Sequence, residues 1–157
     1  MRKNGKAILC AALILALLCS LAACGGEKAP ADLEQLYTEL TALGEAPEMI
    51  RLADKRIQRS TGVNPESCEQ IIAAVCGDGL RVDEIWLIRS LDEEGAKAAE
   101  SLARSRVEQI CSETENYLPE QYAVAKEARI VRSGVYVGLF VSPAAADMEA
   151  AFRKAVG

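Results

Sequence analysis

Two short segments of this 157-residue chain carry large apolar side chains on both faces, and nothing else in it constrains the fold as strongly. In Glu84 to Arg89 (EIWLIR), Ile85 and Leu87 alternate with Trp86 and Ile88. In Val135 to Val141, the residues Val135, Val137, Leu139 and Val141 fall on one side, Tyr136 and Phe140 on the other. Side chains of a strand point alternately to opposite faces. An antiparallel sheet with one wet face should therefore alternate apolar with polar. A sheet built from these segments needs cover on both sides. The second cover is either an N-terminal helix bearing Leu33, Leu36 and Leu40 or a partner.

The remaining elements follow from periodicity and punctuation. Leu33, Leu36, Tyr37, Leu40 and Leu43 mark one helical face behind Asp32, a good N-cap, with Gly44 as a stop. Pro47 restarts a helical stretch to about Ser60 carrying Met49, Ile50, Ala53 and Ile57, and Thr61 to Pro65 is a turn. Cys68 to Cys76 (CEQIIAAVC) favours a strand through its β-branched density. Gly77-Asp78-Gly79 then turns the chain, so that Glu84 to Arg89 completes a hairpin. Ser90 with Glu93 has capping-box spacing, and Asp92 is an alternative cap, for a helix to about Thr114. Tyr117 to Tyr122 (YLPEQY) reads as a structured loop. Glu127 to Arg132 and Val135 to Val141, joined at Ser133-Gly134, form a second hairpin, and Ser142-Pro143 starts a last helix. The order α-ββ-α-ββ-α predicts an α+β two-layer sandwich with a four-stranded, mainly antiparallel sheet made of two hairpins. The long helix and the last helix are expected together on the Val135/Val137/Leu139 face.

The N-terminus carries an address. Arg2, Lys3 and Lys6 precede the apolar stretch Ala7 to Ala23, and small residues stand just before Cys24. That is the layout of a secretory signal. A retained signal anchor and an ordinary secreted protein are the other readings, and all three export the C-terminal portion. The seventeen residues from Ala7 to Ala23 sit at the bottom of the spanning range of about 17–25. Leu21-Ala22-Ala23-Cys24 resembles the bacterial lipobox, Leu-Ala-(Gly/Ala)-Cys, at all four positions. The resemblance implies a diacylglyceryl group, a palmitate-class lipid, on the Cys24 sulfur and cleavage between Ala23 and Cys24. Residues 1–23 are thus expected to be a lipoprotein signal peptide, 24–31 a flexible tether and 32–157 a single α+β domain. The expected location is the cell membrane, lipid-anchored, with the domain facing outside the cytoplasm.

Charge and chemistry exclude several function classes. Three of the 18 basic residues and none of the 23 acidic ones precede Cys24, leaving 15 against 23 and a formal charge of −8. That balance argues against nucleic acid, whose phosphates demand a basic stripe. The chain contains no histidine, which removes Ser-His-Asp and Cys-His sites and any His-bearing zinc site. Beyond Cys24 the cysteines are Cys68, Cys76 and Cys111, an odd number. On one strand, Cys68 and Cys76 would lie about 26 Å apart, too far for a disulfide. They read best as small buried hydrophobes. No cofactor or metal is implied.

Behind the lipobox, Val82 to Ile88 (VDEIWLI), Tyr117 to Tyr122 (YLPEQY) and Gly134 to Val137 (GVYV) resemble a family of Gram-positive, mostly clostridial, surface lipoproteins. It is catalogued as domain of unknown function 4358, and the resemblance covers essentially the whole mature domain. It implies a location and a fold. The family has no assigned activity, so it supplies no catalytic residue.

Four constellations remain. Asp78, Asp83 and Glu84 with Asp92, Glu93 and Glu94 could supply oxygen ligands for Ca²⁺, but their spacing matches no calcium loop, and a solvated acidic edge is the better reading. Paired carboxylates could run glycoside hydrolysis, although no nucleophile–base pair stands out. Tyr117 and Tyr122 are either recognition residues or pins that hold their loop. Trp86, Ile88, Tyr136 and Phe140 are either a second small core under the N-terminal helix or a merged apolar patch that meets a partner. The function expected is a non-catalytic, membrane-anchored binding module for an envelope protein, peptide or small ligand. The alternative is an envelope hydrolase using paired carboxylates.

Overall fold

The computed structural model describes residues 30–43 and 47–157. The expected sites Ala23 and Cys24, most of the expected tether and the helix stop at Gly44 lie outside the described residues. Residues Ala31–Gly157 form one compact unit. Its helices are α1 (Leu33–Thr41), α2 (Asp54–Thr61), α3 (Glu93–Thr114), α4 (Pro119–Lys126) and α5 (Ala145–Val156). Its strands are β1 (Met49–Arg51), β2 (Cys68–Cys76), β3 (Glu84–Ser90), β4 (Arg129–Ser133) and β5 (Tyr136–Val141).

The sheet runs β1-β2-β3-β5-β4 with every neighbour antiparallel. The antiparallel sheet and both hairpins are as expected, but five strands replace four. Met49–Arg51 pairs with Ala74 to Cys76, and the Leu52 N–H donates to the Ala73 carbonyl at 2.8 Å. The helical stretch expected from Pro47 is therefore a three-residue edge strand followed by α2. The end of β2 offers those backbone groups a partner that local periodicity does not reveal.

The need for cover on both faces is met within the chain, which makes three layers rather than two. On one face, Ala96, Ala99, Ala103 and Ile110 of α3 pack over Trp86, Ile88, Val137 and Leu139, with Ile57 and Ala125 beside them. On the other, Leu33, Leu36 and Leu40 of α1 join Met148 and Phe152 of α5 over Ile72, Ile85, Leu87 and Phe140. The last helix thus lies across the sheet from the long helix, not beside it. Ser142, expected as the cap of that helix, instead closes a turn ahead of it. Its hydroxyl accepts from the Ala144 N–H at 3.2 Å, and α5 begins only at Ala145. Each large aliphatic or aromatic side chain so buried contributes roughly 1.5–3 kcal/mol before entropy is subtracted.

Local signals set several boundaries. Asp32 caps α1, accepting from Glu34 N–H at 3.0 Å and Gln35 N–H at 3.1 Å. Asp92, rather than Ser90, caps α3 by accepting from Gly95 N–H at 2.7 Å. Pro119 stands in the first turn of α4, where its missing N–H costs nothing. That helix replaces the loop expected at Tyr117 to Tyr122. Glu100 on α3 accepts from Arg132 on β4 at 2.9 Å and pairs with Arg104. Those guanidinium groups, Arg104 first, hold its carboxyl below the ordinary glutamate range.

Gly138 has a packing reason to be glycine. A Cβ there would stand 2.6 Å from Phe140 Cζ and 3.1 Å from Val131 Cγ1. The Phe140 ring cannot yield easily, because Phe152 meets it edge-on at 5.7 Å between centroids. Gly138→Ala should destabilise the fold by about 1–3 kcal/mol, read as a lowered urea midpoint. An unchanged midpoint would mean that the ring relocates freely.

Candidate functional site

The four residues read as either a second small core or a partner surface do not come together. Across β3 and β5, Trp86 pairs with Leu139 and Ile88 with Val137, whereas Ile85 pairs with Phe140 and Arg89 with Tyr136. Directly opposed residues share a face, so the register matches even numbers with odd ones. Trp86 and Ile88 lie under α3, while Phe140 and Tyr136 lie under α1 and α5. Trp86, Ile88 and Phe140 are fully buried. Tyr136 is half-buried, and its hydroxyl accepts from the Ala31 N–H at 3.1 Å. These are core residues on two faces, not a surface patch.

The acidic edge also divides. Asp92, Glu93 and Glu94 begin α3 near the Ser90 end of β3, whereas Asp78, Asp83 and Glu84 gather at the other end. Seven strand residues, roughly 20 Å, separate the two groups. Among the described residues no group of three or more histidine, cysteine, aspartate or glutamate side chains could hold a metal ion.

The Glu84 end is where polar groups and cavities concentrate. The turn between β2 and β3, the last turns of α3 and the start of α4 meet there. A cavity of about 270 Å³ is lined by Cys76, Arg81, Asp83, Glu84, Arg106 and Glu113, among others. Asp83 and Glu84 are each only 3% exposed. Glu84 Oε2 accepts from Arg106 Nε at 3.0 Å and Nη2 at 2.8 Å, and its Oε1 accepts from Trp86 Nε1 at 2.7 Å. Asp83 is forked by Arg81, with Nε at 2.9 Å and Nη2 at 3.2 Å. That pairing raises the Arg81 guanidinium further above its ordinary value. A glycosidase pair needs one carboxyl group free to give a proton to the leaving oxygen. Both carboxylates here have their oxygens engaged by guanidinium donors.

A second cavity, of about 300 Å³, adjoins the first and shares Leu80 and Leu118 with it. It is completed by Tyr117, Pro119, Glu120 and Gln121. The Gln121 side-chain Oε1 accepts from the Val82 N–H at 3.1 Å, which fixes α4 against the β2–β3 turn. Leu80 is 68% exposed and Tyr117 83%. Of the two tyrosines read as recognition residues or pins, Tyr117 projects into solvent. Tyr122 is tied down, its hydroxyl near Glu115 Oε1 at 3.4 Å and Lys126 Nζ 5.5 Å from its ring centroid. Leu80 escaped the sequence reading, since an isolated leucine after a glycine turn carries no periodic signal.

Cys68, Cys76 and Cys111 are free thiols, and burial pushes the Cys68 thiol up. Among the described residues no helix is long and apolar enough to cross a membrane. A family model described as "Domain of unknown function (DUF4358)" matches residues 42–142. No curated protein and no solved structure matches the chain.

Proposed function

We propose that this chain, which belongs to the DUF4358 family, is a lipid-anchored extracytoplasmic binding module of the cell envelope. The observation that carries the binding half of this reading is the far end of the sheet. There two large apolar side chains stand in solvent over adjoining cavities, while the buried carboxylates beside them are engaged by arginines. Exposed aromatics of this kind anchor partners.

The anchoring half rests on Leu21-Ala22-Ala23-Cys24 behind a basic and apolar leader. Two acyl chains on the Cys24 sulfur would hold a protein stably, whereas one chain binds only marginally. The domain geometry suits such an anchor. Ala31 bonds to Tyr136 at the Arg89 end of the sheet. Seven residues from Cys24 to Ala31 reach at most about 25 Å. Such a tether joins the domain at the end opposite Leu80 and Tyr117.

Cys24→Ser should abolish incorporation of a fatty-acid analogue during metabolic labelling and leave the precursor uncleaved before residue 24. Labelling that persisted unchanged in this variant would overturn the lipoprotein reading.

A further inference from the structure

Resting on that reading of the far end as a binding site, we propose that its occupant is a cationic peptide segment of another protein. It would carry lysine or arginine side chains interspersed with a large apolar one. The Leu80–Tyr117 surface carries exposed carboxylates: Glu113 lines the first cavity and Glu120 the second, with the exposed Asp78 and Glu115 two residues from Leu80 and Tyr117 in the chain. Glu113 has one oxygen bonded by Gln109 Nε2 at 2.8 Å, which leaves the other to accept.

The two arginines lining the first cavity are already committed. Arg81 forks Asp83, Arg106 forks Glu84, and Lys126 lies over the Tyr122 ring. An anionic ligand, whether a wall phosphate, an acidic lipid headgroup or an acidic peptide, would meet uncompensated negative charge. A second copy of this chain would bring the same acidic rim against its own, which like-charge repulsion disfavours. The cavities, about 270 and 300 Å³, lie at or below the small end of the range for drug-sized ligands and suit single side chains instead. A peptide that seats one apolar side chain over Leu80 and Tyr117 and aims its cations at Glu113 and Glu120 satisfies the shape and the charge together.

The test is fluorescence anisotropy on the full chain in a non-ionic detergent, blanked against empty micelles. Three labelled synthetic peptides are compared: lysines around one phenylalanine, the same with glutamate for lysine, and the same with serine for phenylalanine. The lysine–phenylalanine peptide should bind saturably and weaken as salt is raised. Its affinity should fall about tenfold in Leu80→Ser/Tyr117→Ser and again about tenfold in Glu113→Gln/Glu120→Gln, with melting temperature unchanged in both. Equal binding of the glutamate peptide, or affinity unmoved by either double variant, would overturn the proposal. Self-association in sedimentation that disappears in Tyr117→Ser would assign the surface to a second copy and overturn it too. A photoreactive residue at position 117 separates the two readings. If it cross-links a neighbouring protein in intact cells while the lysine peptide fails, the binding reading stands and the cationic occupant falls. Silence in both assays discards both.

Discussion

Trp86→Ala should lower the unfolding free energy by about 3–5 kcal/mol, the usual cost of truncating a large buried aromatic. The ring is fully buried against the α3 face, opposite Leu139 on β5, and no other tryptophan occurs in the chain. Its loss leaves a cavity in a cluster that shares the alanines Ala96, Ala99 and Ala103, whose side chains are too small to fill it. It also strips Glu84 Oε1 of the indole donor at 2.7 Å. Trp86→Phe helps separate the two contributions, since it keeps most of the volume while deleting the N–H. That variant should cost about 1–3 kcal/mol, the penalty for leaving a buried acceptor short of a donor. Urea unfolding followed by far-UV circular dichroism measures both without relying on the fluorophore that was removed. A Trp86→Ala midpoint close to that of the parent would mean that this residue is not core.

That Trp86 had two readings shows where sequence reasoning ran out. Parity within a strand told which residues of β3 share a face, but not which residues of β5 join them. The register decides that, and a one-residue slip would have merged Trp86 with Phe140. The strands themselves were legible because β2 and β3 carry branched and aromatic runs bounded by turn residues. At Gly134, with φ 55°, the turn joining β4 to β5 needs the left-handed conformation that glycine adopts easily. The demand for two covers was legible too, though not which helix goes where. Nothing in Met148 or Phe152 says on which side of the sheet the chain emerges after Val141.

The missed elements share a different cause. β1 has three residues and exists because the edge of β2 turned away from β3 is open to pair with them at Ala74 to Cys76. α4 has eight residues and one fully buried side chain, Ala125, so it displays almost no amphipathic pattern. The acidic residues of the far end were visible in the sequence, whereas their arginine partners were not. Arg106 lies 22 positions from Glu84, and only the packing of α3 across β3 brings them into contact. Tyr117 defied the tendency of aromatic residues to be buried. Its exposure carries more functional information for that reason.

Arg106→Leu tests what that long-range pair contributes. The substitution removes the guanidinium and leaves Glu84, 3% exposed, with the Trp86 indole as its remaining hydrogen-bond donor among those described. Breaking one side of a buried ion pair typically costs 3–5 kcal/mol, because an uncompensated charge stays behind. Arg106→Leu is therefore expected to lose about that much. Removing both charges should be far milder. Glu84→Leu/Arg106→Leu takes away the desolvated carboxylate along with its partner, and apolar replacements of buried pairs are often neutral or stabilising. The two single variants and the double form a cycle whose coupling energy should be at least about 3 kcal/mol, at the top of the range for directly contacting residues. Denaturant unfolding of all four proteins measures it. If the single and double variants lose equal stability, Glu84 finds solvent or another partner once Arg106 is gone, and the cavity at this end is wetter than its 3% exposure implies. If the double variant recovers, the pair is what keeps two charges in the lining of the cavity that the exposed Leu80 also borders. Leu80→Ser/Tyr117→Ser, which touches neither charge, should then leave that coupling unchanged.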